Sequence, residues 1–163
     1  MTIFDRIHGV RWMDHAQPEW NKPGSVAAAL CRVHSANDAA SSSAAYDNLL
    51  YAIGNNHAGT YYPVLLAVLP FMEELLAAGG FWPRNTVLCV LDDLFASFQP
   101  EPGHEEVRDL SGGQLQVAAA FAAHMRGLRP LLGAIVTGGG PHARLAAELL
   151  DMLAEHDAGS AGA

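Results

Sequence analysis

Asn55-Asn56-His57, followed closely by Thr60, Tyr61 and Tyr62, gathers amides, an imidazole and phenols in one short polar stretch. At a turn between helices, such side chains form a contact surface, and tyrosine is favoured at interface centres. They also have a structural use: His57 can tie the turn to a backbone carbonyl while Thr60 caps the next helix. An acid or base at His57 would be the enzymatic use. Asp92-Asp93 offers paired carboxylates, but neighbours on a helix point about 100° apart and share a proton poorly. The 8 histidines invite a metal, yet HExxH is absent and no Cys/His pair has zinc spacing. His104, Glu105 and Asp109 can share a face, without a second motif to complete a site. There is no GxSxG elbow, and Cys31 and Cys89 sit in apolar helical contexts rather than electropositive ones. No catalytic residue, metal or cofactor is expected.

Two other stretches look like phosphate chemistry. Leu110–Gln114 reads LSGGQ, the pentapeptide with which ABC-type ATPases close over a γ-phosphate, and Thr86–Asp93 (TVLCVLDD) reads like an apolar strand ending in acid. A phosphate cradle needs GxxxxGK[ST], and the single lysine, Lys22 in NKPGS, has no glycine loop around it. The order of the two motifs is also reversed. Ser111 and Gln114 instead suit a capping box, S-x-x-Q, at a helix start. Ala134–Arg144 (AIVTGGGPHAR) resembles a dinucleotide turn, but His142 and Arg144 stand where later glycines must let backbone approach a pyrophosphate.

The elements that must position these residues read as helices. Ser25 starts one through Ala36, with Val26, Leu30 and Val33 on one face. Ser41–Ser43 opens a second that ends near Gly54. Thr60 begins a third, with Pro63 in its first turn and Pro70 as an expected kink, stopped by Gly79-Gly80. A fourth runs from Pro83 to near Phe98, and Gln99–Glu106 reads as a loop. Ser111 begins a fifth, broken near Gly127–Pro130 and ending at Gly138–Gly140; Pro141 opens the last. No stretch alternates with period 2, so no sheet is expected. Residues 1–22 form a cap segment with Trp12 and Trp20 as packing anchors, 23–156 a repeat domain, and 157–163 a flexible tail.

The repeat is visible on aligning Pro70–Arg84 with Pro130–Arg144: Pro, Gly-Gly and Arg coincide at an offset of 60. Each copy is a proline-bearing helix, a glycine turn and a second helix with an early arginine. Such a hairpin cannot bury its apolar side alone, so copies stack. Residues 25–54 supply a degenerate first pair. Proline-kinked first helices and an arginine near the second helix resemble HEAT repeats. More narrowly, Ala45–Leu76 resembles a group of bacterial HEAT-like proteins with an N-terminal Trp and a motif ending H-x-G-T-x-Y. Here Trp12, His57, Gly59, Thr60, Tyr62, Pro70 and Phe71 fill those places. The resemblance implies an all-α fold, an α-solenoid of about three HEAT-like antiparallel helical pairs.

In such stacking the second helices line the concave face. Here they carry Asp47, Asp92, Asp93, Glu148, Asp151 and Glu155, and the loop before the last pair adds Glu101, Glu105, Glu106 and Asp109. With a net charge of −8 at pH 7 and no basic stripe, nucleic acid and anionic membranes are poor partners, and a basic protein is a reasonable one. The absence of an apolar leader and of any cysteine pattern points to a cytoplasmic protein. The expected function is therefore non-catalytic protein binding through an acidic concave side and the Asn55, Asn56, His57 and Tyr61 turn. The resemblance to small helical-repeat proteins, which include immunity proteins of bacterial toxin systems, implies a concrete form: an immunity-type inhibitor occluding a basic toxin. The alternatives are a scaffold or assembly protein and an enzyme acting at the His57 turn.

Overall fold

Helices start where a short polar side chain can bond the free amides of a first turn. Thr2 does so for α1 (Ile3–Gly9), with Asp5 completing a capping box. A single 3₁₀ turn, Trp12–Asp14, leads to α2 (Ser25–Ser35). Asp38, rather than the serine run itself, caps α3 (Ala39–Ile53): its carboxylate accepts the Ser41 N–H at 2.6 Å. The computed structural model describes residues 1–109 and 111–161; Leu110, which opens LSGGQ, and residues 162–163 of the expected tail lie outside these.

The chain is mainly helical among the described residues, as expected. α4 (Val64–Ala78) runs through Pro70, which sits on the exposed side of the helix and offers no N–H to the turn before it. Gly79-Gly80 ends α4 and α5 (Phe81–Ala96) follows. Arg84 closes this hairpin, its guanidinium donating to the carbonyls of Leu76 at 2.9 Å and Ala77 at 3.1 Å. α6 (Val117–Gly127), α7 (Arg129–Gly138) and α8 (Ala143–Ala161) complete the chain. The repeat does not carry its arginine's role with it, because Arg144 pairs with Glu148 one turn along its own helix.

Packing sorts the helices into two rows. α2, α4 and α6 touch in succession, and so do α3, α5 and α8; α7 packs on α8. α5 is central, contacting α2, α3, α4 and α8, and its Val87, Leu88, Val90 and Leu91 have no exposure at all. Trp12 is buried at the N-terminal end, donating to the Ile7 carbonyl at 2.8 Å. Trp20 is not a core anchor: it is exposed and stacks on Tyr51.

Three expectations need correction. Small sheets exist: β1 (Gly54–Asn55) pairs antiparallel with β2 (Thr60–Tyr61), β2 pairs parallel with β3 (Gln99–Pro100), and β4 (Glu106–Arg108) pairs antiparallel with β5 (Gln114–Gln116). Strands this short leave no alternation to read. The described part of LSGGQ forms the hairpin turn rather than a helix start. Asp109 Oδ1 accepts the backbone N–H groups of Ser111 and Gly113, both at 2.8 Å, and the Ser111 hydroxyl at 2.6 Å, so the serine donates instead of capping. Finally, α8 continues past His156 to Ala161. Asp157 accepts Arg126 Nε at 2.7 Å and also binds Arg129, and the two guanidiniums hold its carboxyl down at about 2.

One buried and one half-buried imidazole set a pH dependence. His142 is 6% exposed and lies against the Phe81 ring, with Nε2 unbonded; His124 Nε2 is buried and meets Glu73 only at 3.4 Å. Burial holds both below the ordinary value of 6.5, with the Arg84 charge adding to it at His142 and Glu73 opposing it at His124. The unfolded chain therefore takes up these protons first. Stability is full above pH 6.5 and falls as pH drops through that value. The urea midpoint should fall from about pH 7.5 to about pH 5.5, and His142→Gln should flatten part of that slope.

Candidate functional site

The β1–β2 turn builds the first cavity. Gly54 pairs with Tyr61 and Asn55 with Thr60. Asn55 Oδ1 accepts the N–H groups of His57 at 3.1 Å and Ala58 at 3.2 Å, folding the turn back on itself. Gly59 completes it at φ 65°, in the left-handed region. Asn56 and His57 are left exposed. Beside them the Trp20 and Tyr51 rings stack 5.3 Å apart, and Trp20 Nε1–H donates to the Tyr51 carbonyl at 3.0 Å. With Asp47 these residues enclose a depression of about 380 Å³.

The structure thus brings Asp47, Asn55, Asn56 and His57 together, as a contact surface requires. It does not bring Tyr61. That residue, expected at the surface, is 3% exposed, packs edge-on against Phe121 at 5.6 Å, and has its phenol pushed up to about 12 by burial. Thr60 is buried too and donates to the Glu101 carboxylate instead of capping a helix. Glu101 is therefore a strut of the β2–β3 junction, where its own N–H bonds the Tyr61 carbonyl at 2.8 Å. Glu105 accepts the Gly103 N–H at 3.0 Å, and Glu106 accepts from Gln116 across the β4–β5 hairpin. These three acids serve local structure and lie off the row formed by α3, α5 and α8.

A second cavity, of about 460 Å³, opens between α3 and α5 and reaches Leu145 of α8. Its floor is polar and saturated. The Ser42 and Thr86 hydroxyls lie 2.8 Å apart, and Thr86 also donates to the Trp82 carbonyl at 2.9 Å. On α5, Asn85, Cys89, Asp92 and Asp93 fall at helical spacing, so all four face the groove. Tyr46 of α3 donates its hydroxyl to Asp93. Burial, then that hydrogen bond and the Asp93 charge, hold the phenol protonated.

Asp92 is different. Among the described residues no donor bonds it and no cation pairs with it. Burial raises its pKa, the Asp93 and Glu148 charges add to this, and Arg144 opposes. Arg144 is itself engaged by Glu148. Burial and the two aspartates push the Cys89 thiol up as well, the reverse of what a nucleophile requires. Asp151 and Glu155 are exposed on α8, on the stripe that Glu148 begins.

Tyr46, Tyr51 and Trp82 were not marked by sequence patterning, and Trp20 was expected only as a packing anchor. The one available signal was the stripe Asn85, Cys89, Asp92, Asp93 on a helix whose other central positions, Val87, Leu88, Val90 and Leu91, are wholly buried. His104, Glu105 and Asp109 do not converge, and no group of three or more His, Cys, Asp or Glu side chains among the described residues is placed to hold a metal. No helix among them is long and apolar enough to cross a membrane. Compared with protein-family models, curated proteins and solved structures, the chain matches none.

Proposed function

We propose that this protein is a non-catalytic binding module that takes a basic protein on the row formed by α3, α5 and α8, in the manner of an immunity-type inhibitor occluding a toxin. On this reading α2–α3, α4–α5 and α6/α7–α8 are three HEAT-like pairs, with the second helices on the binding side. The observation that carries it is Asp92: a partly buried carboxylate without a hydrogen bond or ion pair among the described residues, beside Asp93 and near Glu148. Such a group costs stability in the free protein and gains from a cationic partner. The exposed Trp20–Tyr51 pair and His57 add a surface with the aromatic composition of interface centres.

The test is capture from host lysate at low and high salt, with wild type beside Asp92→Asn/Asp93→Asn. One stoichiometric basic protein, captured about tenfold more slowly by the variant at low salt, supports the reading. Several partners, or self-association alone, would favour a scaffold, and an empty column would remove the reading. Stability gives an independent check. With its folded pKa raised, Asp92 is less destabilising below 3.8 and more so once ionised, so Asp92→Asn should hold or raise the urea midpoint at pH 7.

A further inference from the structure

The groove between α3 and α5 differs from a plain acidic face in having depth, an apolar wall and a graded set of acceptors. Its volume of about 460 Å³ lies within the range of small-ligand sites, roughly 300–1,000 Å³. Trp82 and Tyr46 supply aromatic surface, and Leu145 supplies aliphatic surface. At the acidic end neither Asp92 oxygen has a hydrogen-bond or ion-pair partner among the described residues, whereas Asp93 is already bonded by Tyr46. Ser43 and the Asn85 amide oxygen add neutral acceptors on the rim. None of the groove's lining residues is cationic.

These features match one chemical group better than others. A guanidinium is planar, carries five donors, bonds a carboxylate in a fork and stacks on aromatic faces, while its alkyl stem covers apolar surface. An ammonium would satisfy the charge but leave the aromatic wall and the spread of acceptors unused. A neutral group would leave Asp92 uncompensated. We propose that the α3–α5 groove is a guanidinium-binding cavity, with Asp92 as the principal acceptor and Trp82 and Tyr46 as walls. This deepens the basic-partner reading and rests on it for the natural source, an arginine side chain of the docked protein. The same chemistry would also admit a free guanidino compound.

The probe is N-acetyl-L-arginine amide, titrated into the full chain and followed by calorimetry and by the NMR signals of Trp82 and Tyr46. n-Butylammonium and neutral n-butylurea serve as comparators. The expected result is saturable binding in the millimolar range, about tenfold weaker for butylammonium and absent for butylurea. Asp92→Asn should weaken it at least about tenfold. Glu19→Gln, an exposed acid outside the groove, removes the same charge and should leave binding unchanged. Ser43→Met, which fills the groove without altering charge, should abolish it. Equal binding by wild type and Asp92→Asn, or no saturable binding by wild type, overturns the proposal. Probe binding with an empty lysate column would keep the cavity and point to a free guanidino compound. Capture of a basic protein without probe binding would keep the partner and remove the cavity.

Discussion

Gly54→Ala should lower the thermal midpoint by about 6–12 °C, corresponding to roughly 3 kcal/mol in a chain of this length. Conformation is not the obstacle, because Gly54 is extended, with φ −163° and ψ −170°. Space is. A Cβ at this position would stand 2.2 Å from the Thr60 carbonyl oxygen and 3.1 Å from Tyr61 Cα. Both are backbone atoms, so relief means opening the β1–β2 pair. That pair seats Tyr61 against Phe121 and lies beside the Tyr62 N–H bond to the Ile53 carbonyl, at 2.8 Å. It also shapes the cavity that holds Asn56 and His57. A melting curve followed by circular dichroism, with NMR of Trp20 and Tyr51, measures both consequences. A wild-type melt would mean that the close approach is absent.

Leu88→Ala should cost about 2–5 kcal/mol, a large share of the roughly 5–15 kcal/mol that holds a domain folded. Leu88 is wholly buried in α5, the helix that touches both rows. A void there removes packing that no polar neighbour can replace. The urea midpoint should drop with an unchanged slope if the native state stays compact. Because α5 also carries Asn85, Asp92 and Asp93, a shift of this helix disturbs the groove, and binding should weaken beyond what lost stability explains. This is the reverse of Asp92→Asn, which should weaken binding while leaving the fold as stable or more so. The pair separates residues that hold the helix from residues the helix presents.

Helix positions were largely legible in the sequence because their signals are local. The apolar spacing of Val26, Leu30 and Val33 marked α2, Gly54 marked the end of α3, and Gly79-Gly80 marked the α4–α5 turn. Cap identity was less legible, since Asp38 and Ser41 each satisfy the other and either reads as the cap. LSGGQ misled because a capping box and a hairpin turn use the same residue types. Asp109, four residues before Gly113, decided the matter by accepting the turn's amides. The short strands were invisible because two or three residues leave no alternation to read, and the β2–β3 pairing also joins segments far apart in the chain.

The site was half legible for the same reason. Asn55, Asn56 and His57 are neighbours in the chain, and their turn chemistry is written there. Tyr61 looked identical to an interface tyrosine until the fold turned it toward Phe121. The pairing of Tyr46 with Asp93 joins helices far apart in sequence, and nothing in either helix alone specifies it.

The parallel pairing of β2 with β3 bonds Thr60–Tyr61 to Gln99–Pro100, so the whole α4–α5 hairpin is a loop clasped at its base. The Gln99 N–H reaches the Gly59 carbonyl at 3.0 Å, and Glu101 reaches back to Tyr61. In an open stack of repeats, each unit contacts only its neighbours and can fray stepwise from an end. A clasped unit cannot peel away in that manner. Opening it breaks the β2–β3 bonds as well as the helix contacts, so the amides of α4 and α5 are expected to exchange together in a native-state hydrogen-exchange experiment. The clasp makes the α4–α5 hairpin an internal brace, tied at its base as well as along its helices.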